Sequence, residues 1–269
     1  MAAKTYGDRR SAICELVTEL GYVSVDALAG RTGVSLATIR RDLDELAQEG
    51  LVERTHGGAA AATGLHLQEY PFNERASVAM PEKRAIGRAA AAMVRDGDTI
   101  MIDGGTTCLE IARQLVNRPR LQVITHSVRA LEALLRAPNV TTFATGGTLK
   151  QKELVLVGPT TESVLRSRRA TLAFVGASAF SPTDCATDFD EREVAVKQAM
   201  MSSAQRTFLV VASRKLATAA TVVVAPIEAF AGVVTDDGLP ESALRELRER
   251  GLEVVLAKPS MGSTQDSRV

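Results

Sequence analysis

The sequence predicts an α/β protein in two parts: a small N-terminal unit of three short helices, then a larger domain built on a mainly parallel sheet. Three observations predict it. Apolar residues in the first fifty positions recur with helical period. From residue 83 onward, runs rich in Val, Ile and Leu alternate with helical patterns, as in a parallel sheet covered on both faces. Between the two, residues 62–82 mix small residues and two prolines with no period, which reads as a linker.

In the first helix Ile13, Leu16, Val17 and Leu20 form one apolar stripe, and Gly21 ends it. Ser24 is positioned to cap a second helix, "VDALAGRT", which Gly33 ends. Ser35 then caps a third, with the stripe Leu36, Ile39, Leu43 and Leu46, closed by Gly50. "LVERTHGG" alternates apolar and polar residues and finishes in a glycine pair, the pattern of a β-hairpin. These elements place a head at 6–61, and the α/β domain runs from 83 to 257. Its strand candidates are "DTIMID", "LQVIT", "VTTFAT", "LAFVGA", "FLVVA", "TVVVA", "GVVT" and "LEVVLA". Residues 258–269 are polar and read as a disordered tail.

The chain has 269 residues, 45% of them hydrophobic and 24% charged, enough for one large and one small core. Cys14, Cys108 and Cys185 are widely spaced with no His cluster, so neither a disulfide framework nor a metal site is expected. The first twenty residues carry charges throughout, unlike a signal peptide, and no stretch approaches the roughly 18–20 apolar residues of a membrane span. A cytoplasmic protein without a membrane partner is expected.

On the third helix, with Ile39 at the centre of the buried face, Ala37 and Arg41 point outward, flanked by Thr38 and Arg40. The outer surface is small and basic in its first two turns and acidic behind, at Asp44 and Glu45. A helix entering the major groove by its N-terminal end meets bases and phosphates with those turns alone. Thr38 can bond a base edge or phosphate, arginine reads guanine, and the helix N-terminus favours a phosphate. The other reading is an amphipathic helix with a solvated charged face. The preceding helix and Gly-containing turn favour a helix-turn-helix, with the hairpin as a wing carrying Arg54 and His56 to the phosphate backbone or minor groove. Residues 1–58 hold seven Lys and Arg against nine Asp and Glu, a net of −2, so affinity must come from local contacts and from paired heads.

In the second part, "DTIMIDGGTTCLEIA" places Asp103 at a strand end, then Gly104, Gly105, Thr106 and Thr107 before a helix. Free backbone N–H groups, two hydroxyls and a helix N-terminus make an anion cradle at the carboxyl edge of the sheet. No "GK[ST]" or GxGxxG accompanies it, and a Thr-capped turn is the plainer account. Gly146 and Gly147 are expected to line the same crevice, and Lys215 to neutralise a phosphate or to be a solvated loop residue. Glu193 and Lys197, four apart, read as a surface ion pair. Cys108 is either a redox sensor or a small residue in a first helical turn.

"SLATIRRDLDELAQEGLVERTHGGA" closely resembles the winged helix-turn-helix signature of the DeoR family of bacterial transcriptional regulators, in "TIRRDL", "GLV" and "HGGA" above all. The resemblance implies that Ser35, Thr38, Arg40 and Arg41 face DNA. It continues through "GDTIMIDGGTTCLEIA", Gly146–Gly147, "AFVG" at 173–176, Lys197, Lys215 and "VVTD" at 233–236, and covers residues 6 to 257. It implies a Rossmann-like domain, similar to ribose-5-phosphate isomerase, that senses a phosphorylated sugar or related metabolite. Three positions depart from the family pattern. His126 stands in place of Asn, and Thr171 and Ala212 each stand in place of Asp. The departures remove two carboxylates and an amide from the expected pocket and leave the effector's identity open.

The expectation is therefore a regulator that represses carbohydrate metabolism genes. It binds double-stranded operator DNA as a homo-oligomer, dimer or tetramer, and a phosphorylated sugar releases it, with no catalytic residue, cofactor or metal. An isomerase-like enzyme with an N-terminal appendage is the alternative. Asp103, Asp188, Asp190 and Glu193 could supply its carboxylates, but their spacing does not force them together. An architectural DNA-binding protein would need no cradle.

Overall fold

The computed structural model describes residues 6–20, 22–49, 51–55, 57–61, 72–77, 79–216 and 220–259. The expected wing residue His56, residues 62–71 of the expected linker and the tail from residue 260 lie outside the described residues. Contacts divide the chain into two compact units, Met1–Leu65 and His66–Val269.

The N-terminal unit comprises α1 (Tyr6–Leu20), β1 (Tyr22–Ser24), α2 (Val25–Thr32), α3 (Leu36–Gln48), β2 (Val52–Thr55) and β3 (Gly58–Ala61). The side chain of Ser24 accepts a hydrogen bond from Ala27 N and that of Ser35 from Thr38 N, so both predicted N-caps form. Gly33 closes α2 in the left-handed conformation at φ 74°. Ile13, Val17, Leu28, Ile39, Leu43 and Leu46 make the core. Leu36, the expected start of the α3 stripe, is instead 40% exposed. At the first helical position its side chain leans toward the helix N-terminus, away from the core. The hairpin of β2 and β3 gains a third strand, giving the order β1-β3-β2. A buried carboxylate that the apolar pattern does not reveal, Asp42, takes a bidentate hydrogen bond from Arg9, Nε–Oδ2 2.7 Å and Nη2–Oδ1 3.1 Å, tying α3 to α1.

The second unit begins with α4 (Phe72–Ser77) and α5 (Met80–Ala92), which corrects the expected linker. Residues 72–77 and 80–82 are helical, and Phe72 is buried. Six residues with a single apolar anchor are too few to display a period. Next come β4 (Thr99–Ile102), α6 (Thr106–Gln114), β5 (Leu121–Thr125), α7 (Val128–Leu134), β6 (Val140–Ala144), β7 (Thr148–Lys150), β8 (Val155–Val157) and α8 (Pro159–Arg166). The chain continues through β9 (Ala170–Val175), β10 (Ala179–Phe180), β11 (Cys185–Asp188), α9 (Glu191–Ser203), β12 (Ala204–Val210), β13 (Val222–Pro226), β14 (Gly232–Asp236), α10 (Glu241–Glu249) and β15 (Glu253–Ala257).

Seven strands form one parallel sheet in the order β15-β14-β12-β9-β4-β5-β6. Side chains alternate between its two faces. Ile100, Ile102, Phe174, Phe208, Val210 and Val234 pack with α5, α6 and α7. Met101, Ala173, Val175, Leu209 and Val233 pack with α8, α9 and α10. The strand "TVVVA" does not join this sheet. As β13 it pairs antiparallel with β11 in a small sheet with β10, and Val223 is 54% exposed. A run of valines reads the same whether one face or both are covered. The hairpin β7–β8 and strands β10 and β11 are too short to give a sequence signal.

Candidate functional site

The chain order reverses beside β4. Strands β5 and β6 extend the sheet on one side, and β9, β12, β14 and β15 on the other. Parallel sheets bind ligands at the carboxyl ends of strands flanking such a switch point. A small open cleft lies there, lined by Arg75, Gly104–Cys108, Glu153, Gly176–Ser178, Asp188, Glu193, Lys197, Val210 and Lys215.

Its floor is Asp103, fully buried. Oδ2 accepts from Gly176 N at 2.8 Å and from Lys197 Nζ at 2.5 Å, and Oδ1 lies 2.9 Å from His126 Nε2. These bonds clamp the loops after β4 and β9 across the switch point. Burial alone would raise the Asp103 carboxyl, but Lys197 and His126 hold it below the usual carboxylate range. Burial would lower Lys197, yet Asp103, Asp188 and Glu193 keep its ammonium charged and raised. Lys197 also reaches Asp188 at 3.3 Å. The expected surface pair with Glu193 is therefore corrected. Lys197 is buried in the floor, and Glu193 pairs with Lys150 of β7. A four-residue spacing shows that two side chains share a helix face but not where that face points.

On this floor α6 begins. Gly105 is its N-cap at φ 87°, a conformation suited to glycine, and no side chain caps the helix. The first N–H groups of α6 therefore face the cleft with the Thr106 and Thr107 residues. Lys215 stands opposite, its Nζ donating to Ala177 O at 2.5 Å. Arg75 enters from α4 and pairs with Glu153. Behind them the buried Lys83 donates to the Arg75 carbonyl. Burial, with Lys215, Arg214 and Arg75 nearby, pushes Lys83 down to about 7. Burial and Arg75 push Lys215 down to about 8, against the pull of Asp188. The cluster is crowded with positive charge. Glu153, Asp188 and Glu193 line the remaining wall.

Gly104, Gly105, Thr106, Thr107 and Lys215 thus line one cleft, whereas the expected Asp103 lies beneath it, saturated by protein partners. Gly146 and Gly147 are corrected: they do not line the cleft. Gly147 turns at φ 116° against α8, where a Cβ would meet Thr161 Oγ1, whose hydroxyl donates to Gly146 O at 2.6 Å. The sequence reading missed Arg75 and Glu153, because the first lay in the expected linker and the second in an unrecognised hairpin turn. Asp188 and Glu193 were recognised only as scattered carboxylates.

The three departures also fall outside the cleft lining. His126 is buried, its Nδ1 2.9 Å from Leu156 O, and spans from Asp103 to β8. Thr171 sits at the amino end of β9, donating to Thr99 O, on the opposite edge of the sheet from the cradle. At Ala212 the following turn is held instead by Asp236, which accepts from Ser213 N at 2.8 Å and Ser213 Oγ at 2.6 Å. The expected loss of two carboxylates and an amide from the pocket does not describe this cleft. Cys108 is buried and burial pushes its thiol up, so the small-residue reading holds.

In the N-terminal unit, Ser35, Ala37, Arg40 and Arg41 are exposed and Thr38 half-buried at the tip of α3. The Ser35 and Thr38 hydroxyls lie 2.9 Å apart. Arg41, 82% exposed, makes an i,i+4 contact to Glu45 at 3.2 Å, worth well under about 1 kcal/mol and easily exchanged for a phosphate or base. Arg54, expected to reach the DNA backbone, is turned toward α3 instead. It donates to Asp44 at 2.8 Å and to Gly58 O at 3.0 Å, so the wing's arginine neutralises the acidic rear of the helix.

A helix-turn-helix with a strand wing, followed by a parallel α/β unit with a cleft of paired charges at its switch point, defines a two-part regulator of transcription. Residues 9–64 match the family described as DeoR-like helix-turn-helix domain, and residues 79–237 match the DeoR C terminal sensor domain. The HTH-type transcriptional regulator YgbI of Escherichia coli is 37% identical over 251 residues, 93% of this chain and 98% of that one. The Glycerol-3-phosphate regulon repressor of Escherichia coli is 31% identical over 248 residues, 92% and 98% of the two chains. The chain belongs to the DeoR family of transcriptional regulators, and the isomerase alternative is not favoured. Among solved structures, ribose 5-phosphate isomerase A from Neisseria gonorrhoeae covers 51% of this chain and 53% of its own, with TM-score 0.37 and 14% identity. The fold class rests on the strand order and the family matches. Among the described residues no helix is long and apolar enough to cross a membrane.

Proposed function

We propose that this chain is a repressor whose DNA affinity falls when a phosphorylated sugar or related metabolite enters the α/β cleft. The observation that carries the proposal is the convergence of Arg75, Lys197 and Lys215 on the uncapped N-terminus of α6. Fixed N–H donors and partly desolvated cations favour a dianionic phosphoryl group over a neutral ligand. Glu153, Asp188 and Glu193 on the facing wall suit the hydroxyls of a polyol, as acceptors. The name of the glycerol-3-phosphate relative supports a phosphorylated effector of this general kind. At the other end, Ser35, Ala37, Thr38, Arg40 and Arg41 read operator DNA in the cytoplasm, with Arg54 as a wing residue that must first leave Asp44. Repeated half-sites and a head of net charge −2 favour a homo-oligomer, dimer or tetramer.

Thr106 tests the cleft. Thr106→Glu places a carboxylate at the α6 N-terminus, where it mimics and blocks the phosphoryl group. The variant is expected to bind operator like the wild type and to ignore every sugar phosphate that releases the wild type. Full release of the variant by such a compound would remove the cradle from the account.

A further inference from the structure

α4 joins the cleft to the chain segment that leads back to the DNA-binding unit. It starts at Phe72, the seventh residue after Leu65, the last of that unit. Phe72 is buried beneath the Arg129 guanidinium, 3.9 Å from its ring centroid, and Asn73 accepts from Arg129 at 3.2 Å. A further hold among the described residues is Arg75, whose guanidinium lines the cleft and pairs with Glu153 in the β7–β8 turn, and whose carbonyl accepts from Lys83. That turn is itself tightly constrained, since Leu154 adopts φ 54° and its carbonyl accepts from Val128 N at 2.9 Å. Arg75 therefore stands between a fixed carboxylate and a cluster of lysines whose protons it disfavours.

Resting on the effector reading above, we propose that Arg75 is the residue that reports cleft occupancy: an anionic effector group draws its guanidinium from Glu153 into the lysine cluster, and α4 moves with it. The anion offers Arg75 a partner that also relieves its repulsion with Lys83 and Lys215, so occupied and unoccupied clefts favour different positions of the same side chain. A six-residue helix with one buried aromatic can follow such a shift more readily than the long packed helices α5 and α9. Arg75 is a positioning residue as well as a ligand, because the movement of α4 is its output.

The full chain tests this with inorganic phosphate as probe, bound affinity followed by thermal stabilisation and α4 by amide hydrogen exchange across residues 72–77. Saturating phosphate is expected to alter α4 exchange in the wild type and to weaken its affinity for a duplex it has itself selected from a random pool. Arg75→Gln should bind phosphate several-fold more weakly and show neither response at saturation, while Arg75→Lys recovers part of both. Glu153→Gln, which removes only the competing carboxylate, should bind phosphate several-fold more tightly. An equal α4 or duplex response in the wild type and Arg75→Gln, whether large or absent, overturns the inference, as does unchanged or weaker phosphate binding by Glu153→Gln. If Glu153→Gln fails to fold, the Arg75 pair decides alone. A wild type that binds no phosphate at all defeats the effector reading itself, and the inference with it.

Discussion

A lysine buried among other cations surrenders its proton near neutrality, and Lys83, pushed down to about 7 by burial and by Lys215, Arg214 and Arg75, does so. The sign of the resulting pH dependence follows. The unfolded chain keeps this lysine protonated to about pH 10, so between about pH 7 and 10 the unfolded state binds the extra proton and Lys83 makes stability rise with pH. Anion binding runs the other way. An anion stabilises the charged lysines, takes up protons on binding, and binds best where they are already protonated. Sulfate, which does not titrate in this range, is expected to bind on the order of tenfold more tightly at about pH 6.5 than at about pH 8.5. Calorimetry in two buffers of different ionisation enthalpy would reveal the proton uptake. A flat affinity with no uptake would mean that neither Lys83 nor Lys215 faces the bound anion.

At the scale of elements, what could be read in advance depended on length and capping. α2 and α3 were legible because Ser24, Ser35 and Gly33 mark their ends chemically. The parallel strands were legible because burial on both faces demands continuous apolar runs. α4, the β7–β8 hairpin and the β10–β11 pair were not, being two to six residues long, and α4 is held through Arg129 and Glu153, distant in sequence. The cleft was half legible for the same reason. Gly104 to Thr107 form one contiguous motif, whereas Arg75, Glu153, Asp188 and Lys197 meet only after the sheet has assembled. Asp42 on α3 is likewise silent in the sequence, since a buried acid is recognised only through its partner Arg9. Asp42→Ala should destabilise the N-terminal unit by about 3 kcal/mol, because Arg9, itself mostly buried, is left without this carboxylate. Hydrogen exchange of α3 in the full chain reads this directly. Protection within a few tenths of a kcal/mol of the wild type would show that the α1–α3 tie is dispensable.

On the scale of the whole molecule, each unit has its own core, and the function proposed above gives each a recognition surface, the tip of α3 and the cleft beside α6. Such a division of labour regulates only if the two sites are linked in free energy, so that a ligand in one changes affinity at the other. The family resemblance announced both surfaces from the sequence. It did not announce that His126, Thr171 and Ala212 lie outside the cleft lining, which leaves the proposed cradle intact despite those departures. The most direct measurement is the affinity of the full chain for its selected duplex, in low salt, with and without each member of a panel of sugar phosphates. At least one member should weaken binding by about 5- to 150-fold, the range of an allosteric coupling. A chain that prefers no duplex over random DNA, or whose duplex affinity is the same with every phosphorylated compound that it binds, would contradict the account.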